Sequence, residues 1–121
     1  MNISRKDVGD RGEQLALEYL QKRGLQLLER NYRCTGGEID LVMLHRDTLA
    51  LIEVRLRQDR SFGGAAASVT DTKQRRLLVA AQRLLQQRPA YRRYRARFDL
   101  VAIEDAAAPR IEWIKDAFRG G

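Results

Sequence analysis

Two apolar runs, Gly37-Glu38-Ile39-Asp40-Leu41-Val42-Met43 and Leu49-Ala50-Leu51-Ile52-Glu53-Val54-Arg55, constrain this chain more than any other feature. Each sets acids among residues that a core would claim. A carboxylate taken out of water is costly unless a cation or another charged partner compensates it, so acids at such positions ask for one. The runs are rich in Ile, Leu and Val and are bounded by Gly36-Gly37 and by polar residues, which predicts a hairpin with its turn within residues 45–48. A two-residue loop pairs His45 with Thr48, and a four-residue loop pairs Leu44 with Leu49. Both give one register, with Asp40 opposite Glu53. Opposed side chains have Cβ atoms about 4.5–5.5 Å apart, which suits two carboxylates sharing a divalent cation. Alternation then puts Arg55 on the face of Glu53, and Ile52, Val54 and Leu56 on the other. A three-residue loop would move a whole strand's side chains to the opposite face, and Arg46-Asp47 lacks the usual Gly or Asn of a tight turn.

Length and composition bound the rest. A chain of 121 residues with 44% hydrophobic content fits one domain, residues 1–121, with one core. No apolar run reaches the 18 residues of a membrane span and Met1-Asn2-Ile3-Ser4-Arg5 opens no apolar signal core, so the expectation is a cytoplasmic protein without a membrane partner. One cysteine, Cys34, cannot close an internal disulfide, and one histidine, His45, cannot build a His-rich or Cys/His zinc site. Cys34 reads as an ordinary core or edge residue and His45 as a solvated turn residue. A metal here would be held by oxygen, which favours Mg²⁺ or Mn²⁺. The net charge of +7, mostly from arginine, favours anionic partners, nucleic acid above all.

Helical spacing of Leu15, Ala16, Tyr19 and Leu20 predicts a first helix over residues 10–23, starting at Ser4 or Asp10 and stopped by Gly24. Residues 25–32 read as a strand, followed by the hairpin and a loop over 58–69. Thr70 or Asp71 can cap a second helix to about residue 88, with Leu77, Leu78, Ala81, Leu84 and Leu85 as its apolar stripe and Pro89 beyond its end. Residues 97–103 and 111–114 read as strands on either side of an Ala106-Ala107-Ala108-Pro109 turn. The fold class is α/β, a mixed sheet flanked by helices in the order αβββαββ, with a crossover helix joining parallel strands.

Each candidate residue has a plainer alternative. Glu13 sits three, four and seven residues before Ala16, Leu17 and Leu20, at the edge of the apolar face, so it looks towards the sheet or is a solvated or capping glutamate near the helix start. Asp40 and Glu53 either hold Mg²⁺ for phosphodiester chemistry or pair with Arg55 or Arg57. Lys73, Arg75 and Arg76 open the second helix, and Arg88, Arg92, Arg93, Arg95 and Arg97 crowd its end beside Tyr91 and Tyr94. They suit phosphates and stacked bases, or form a solvated face. Trp113 and Phe118 read as packing residues.

Taken together, Gly12-Glu13 with Ala16 and Tyr19-Leu20, Asn31-Tyr32-Arg33, Gly37-Glu38-Ile39-Asp40-Leu41, Glu53-Val54-Arg55, Lys73-Gln74 with Leu77, Arg97-Phe98-Asp99 and Asp116-Ala117-Phe118 resemble the YraN-like family of bacterial proteins over nearly the whole chain. That family looks like part of the restriction-endonuclease-like superfamily, whose sites carry an acid, then Asp or Glu, a spacer residue and Lys, and is similar to archaeal Holliday-junction resolvases. The resemblance implies a restriction-endonuclease-like mixed sheet and a metal-dependent endonuclease acting on DNA, branched DNA included. It implies Asp40 and Glu53 as metal-binding acids, the Val54 carbonyl as a further ligand, and Glu13 as the helix-borne acid. Lys73, Gln74, Arg75 and Arg76 are the expected nucleic-acid contacts, and a homodimer would match resolvases that cut two strands symmetrically. Arg55 stands where the superfamily pattern has lysine. Lysine can shed a proton when buried, whereas arginine stays charged, which leaves a catalytically silent nucleic-acid-binding protein as the alternative.

Overall fold

A computed structural model describes residues 5–57, 70–104 and 110–118. The expected loop over 58–69 and the turn over 106–109 lie outside the described residues. Helix α1 (Arg5–Gln21) leads into strands β1 (Gln26–Cys34), β2 (Gly37–His45) and β3 (Thr48–Arg57). Helix α2 (Asp71–Gln87), a 3₁₀ turn (Pro89–Arg93) and strands β4 (Arg95–Glu104) and β5 (Arg110–Ile114) follow. The α/β class and the order αβββαββ are as expected.

The five strands lie in chain order, with β3 and β4 parallel and every other pair antiparallel. Both faces of the central strands are covered, which is why Leu49-Ala50-Leu51-Ile52 and Leu100-Val101-Ala102-Ile103 read as unbroken apolar runs. On one face Ala16, Leu17 and Leu20 of α1 pack on Leu41, Met43, Ala50, Ile52, Val101 and Ile103. On the other, Leu77, Ala80, Ala81 and Leu84 of α2 pack on Ile39, Val42, Leu49 and Leu51. Leu78 and Leu85 of the expected stripe are only half-buried, and Ala80 takes a central place instead.

Helix α1 begins at Arg5, just after the earlier of its two expected starts. Its end is set by Gly24, whose φ of 91° suits glycine. The Gly24 N–H donates to the Gln21 carbonyl at 3.0 Å and the Leu25 N–H to the Leu20 carbonyl at 3.1 Å, while Leu20 and Leu25 are both buried. This is a Schellman cap with its hydrophobic contact. Thr70 caps α2, its Oγ1 accepting the Lys73 N–H at 3.3 Å. Strand β1 runs two residues past its expected end because its pairing with β2 continues to Cys34↔Gly37. No helix among the described residues is long and apolar enough to cross a membrane.

Asp99 is fully buried, and four donors hold it. Arg97 donates twice at 2.8 Å, Trp113 Nε1 once at 3.1 Å and the Asp116 backbone N–H once at 3.0 Å. A buried carboxylate so surrounded is compensated, and here it ties the segment after β5 to β4. His45 joins this network and is not the solvated residue expected from its turn position. Its Nδ1 lies 3.1 Å from Arg97 Nη2 and its ring centroid 5.6 Å from that of Trp113. Burial first, and the Arg97 charge second, hold its pKa below the ordinary imidazole value.

Candidate active site

The hairpin register places the acids. Strands β2 and β3 pair from His45↔Thr48 to Leu41↔Ile52, so the loop is the two residues Arg46 and Asp47. Arg46 takes the left-handed backbone, φ 59°, that short hairpin loops demand even without glycine. One step beyond Leu41↔Ile52 the backbone ladder stops, and the Asp40 side chain takes over: its Oδ2 accepts the Val54 N–H at 2.8 Å. A strand residue turns its N–H and C=O to the same side, so the Val54 carbonyl is directed towards the same gap.

Strand β3 alternates as expected. Ile52, Val54 and Leu56 pack on the α1 side, which leaves Glu53 and Arg55 on the α2 side. There, Glu38, Glu53, Arg55, Lys73, Arg76 and Leu77 line a cleft of about 110 Å³. Lys73 and Arg76 therefore share the cleft with Glu53, whereas Gln74 and Arg75 sit on their helical turn without lining it. Glu38, which sequence reasoning passed over, pairs with Arg33 at 3.8 Å and Arg76 at 3.9 Å. Its position two residues before Asp40 was the available signal.

The charge of Asp40 bears on the acids around it. Burial first, and the charge of Asp40 second, push the Glu53 carboxyl up to about 7, with Arg55 opposing. Asp40 is also raised, by burial above all, against the Val54 N–H. Glu13, on the α1 side, is raised by burial and then by Asp40, against Arg30 and a hydrogen bond from Asn31. Asp40 thus lies within electrostatic reach of acids on both faces of the sheet. Neither Asp40 nor Glu53 is within salt-bridge distance of a cation whose side chain is described, so the direct ion pair with Arg55 is not formed, and the Arg57 side chain lies outside the described residues.

Neither do three His, Cys, Asp or Glu side chains converge as a ready metal-binding group among the described residues. That donor set, two under-compensated carboxylates and a carbonyl, still fits Mg²⁺, which keeps several waters and needs only one or two carboxylates beside substrate phosphate. The arginines after α2 are largely engaged. Arg88 is paired with Glu29 at 3.1 Å, Arg92 Nε donates to the Leu85 carbonyl at 2.8 Å and Arg97 holds Asp99. Tyr91 donates to Glu29 at 2.8 Å, which ties it into the same structural pairing. Trp113 and Phe118 pack, Phe118 stacking on Phe98 with centroids 5.0 Å apart.

Fold and site together define an α/β protein whose mixed sheet carries a half-buried acid pair beside the N-terminal turns of its crossover helix. The model of the Uncharacterised protein family UPF0102 matches residues 12–103, and the chain belongs to that family, which is the YraN-like group its residues resemble. A UPF0102 protein of Herminiimonas arsenicoxydans is 55% identical over 118 residues, covering 94% of this chain and 88% of the relative. One from Ralstonia pickettii is 54% identical over 120 residues, 91% and 88%. One from Pseudomonas putida strain GB-1 is 49% identical over 112 residues, 91% of each chain.

Proposed function

We propose that this protein is a Mg²⁺- or Mn²⁺-dependent endonuclease that hydrolyses DNA phosphodiester bonds, branched DNA among its substrates. One observation carries the reading: Asp40 and Glu53 lie half-buried near each other at the end of the β2–β3 ladder, the charge of Asp40 helps to raise the Glu53 pKa, and neither is ion-paired with a cation whose side chain is described. Asp40, Glu53 and the Val54 carbonyl would hold the ion. When bound, the ion supplies positive charge to the phosphate and acidifies a water.

The chain's own residues do the rest. Arg55, permanently charged, stabilises the negative charge that builds on the phosphate oxygens. Lys73 and Arg76 grip flanking backbone phosphates, with Gln74 and Arg75 on the same turn extending that contact. Glu13 accepts a hydrogen bond from the attacking water and orients it from the α1 side.

The test is cleavage of end-labelled single-stranded, duplex, flap and four-way-junction DNA with Mg²⁺ or Mn²⁺, comparing the parent with Asp40→Ala. Cutting by the parent alone supports the reading; equal cutting by both sinks it. A second reading, nucleic-acid binding without turnover, is favoured by Arg55, which lines the cleft but cannot give up its proton. Arg55→Lys separates the two: gained cleavage means that arginine silences the site, and lost cleavage means that arginine is used.

A further inference from the structure

Asn31 lies where β1 faces Asp40, between the pairs Arg30↔Leu41 and Tyr32↔Ile39. The pleat breaks at this point. Ile39 packs in the α2-side core, whereas Leu41, two residues on, packs in the α1-side core, although residues two apart on a regular strand share a face. Asn31 has φ 53°, a left-handed backbone that asparagine and glycine tolerate better than other residues. Backbone alone would account for either residue here.

It does not account for the side chain. With its nitrogen turned towards α1, the Asn31 amide lies 3.0 and 3.2 Å from the two carboxylate oxygens of Glu13. Glu13 also lies within electrostatic reach of Asp40 of β2, Arg30 of β1 and Asp10 of its own helix. A glutamate repelled by a neighbouring acid turns away unless something holds it. We propose that Asn31 is a positioning residue, whose amide ties Glu13 of α1 to the point where β1 and β2 switch face and so holds that carboxylate at the Asp40 end of the β1–β2 ladder. The consequence for cleavage rests on the nuclease reading; the positioning itself does not.

Two variants divide backbone from side chain. Asn31→Gly keeps the left-handed conformation and removes the amide, and Asn31→Asp keeps the size and replaces the donor with a charge. The readouts are the ¹³C signal of the Glu13 carboxyl, titrated by NMR in divalent-free buffer, and kcat and KM for the best-cut DNA. The Glu13 midpoint is expected to rise in Asn31→Gly and further in Asn31→Asp, with kcat falling about tenfold and KM little changed. If Asn31→Gly leaves both the titration and kcat as in the parent, asparagine serves the backbone alone and the proposal is overturned. Should the parent cut no DNA, the nuclease reading falls, and the Glu13 titration by itself decides the role of Asn31.

Discussion

At the residue scale, Glu53 makes the fold sensitive to pH. Its carboxyl titrates at about 7 in the folded chain against 4.5 for an ordinary glutamate, so the folded state holds the proton more tightly between those values. Its contribution to stability is complete below about 4.5 and is lost as pH rises through about 7. His45, held below its ordinary value, works in the opposite sense near neutrality, so the informative quantity is a difference between variants. In divalent-free buffer Glu53→Gln should gain stability relative to the parent as pH rises from about 5 to about 8, by up to roughly 3 kcal/mol. Urea denaturation at a series of pH values measures this. Added Mg²⁺ should restore the parent at the alkaline end, because a cation then does what the proton did. Parallel curves for parent and Glu53→Gln would mean that Glu53 titrates as a solvated acid.

At the element scale, a single glycine sets how closely α2 lies on β2. A Cβ built on Gly37 would overlap the Arg76 carbonyl oxygen and fall 2.8 Å from the Ala80 nitrogen, both backbone atoms that cannot swing aside. Gly37→Ala should therefore push α2 outward, at a cost of about 1–3 kcal/mol. It should also loosen the cleft, since Arg76 and Leu77 line it. The check is the urea midpoint, with Gly24→Ala as a comparison whose cost comes from its φ of 91° and not from contact. An unchanged midpoint for Gly37→Ala would show that the helix rides freely on the sheet. The elements were legible because apolar period and caps agree: Leu15, Ala16, Tyr19 and Leu20 with Gly24, and Thr70 ahead of Leu77 and Leu84. So was the facing of Glu53 and Arg55, which follows from alternation alone. What could not be read were features that break a local rule or join distant residues. The face switch at Asp40 violates the period of two, and the Asp99 network draws partners from β4, β5 and the segment after β5.

At the scale of the whole molecule, the parallel pairing of β3 and β4 decides where charge collects. The chain leaves β3 near Glu53 and Arg55 and must return along α2 to start β4 at the far end, where Thr48 pairs with Arg95. The N-terminal turns of α2 consequently stand over the acids. The positive end of the helix dipole there adds to the charge of Lys73 and Arg76, an arrangement suited to phosphate. Open α/β sheets also tend to bind ligands beyond the carboxyl ends of their parallel strands, which is this end. If DNA lies in the cleft, replacing these two cations should remove about two phosphate contacts. In the variant Lys73→Gln/Arg76→Gln, DNA affinity should fall, and the slope of log K against log salt should shrink by about 2. Arg93→Gln/Arg95→Gln removes the same charge from exposed residues at the opposite end and should leave that slope nearly unchanged. Fluorescence anisotropy across a salt series, on a substrate held uncut in divalent-free buffer, reads both. Equal loss of slope in the two pairs would place binding in the net charge of +7 and not in the cleft, and α2 would then be no more than a crossover.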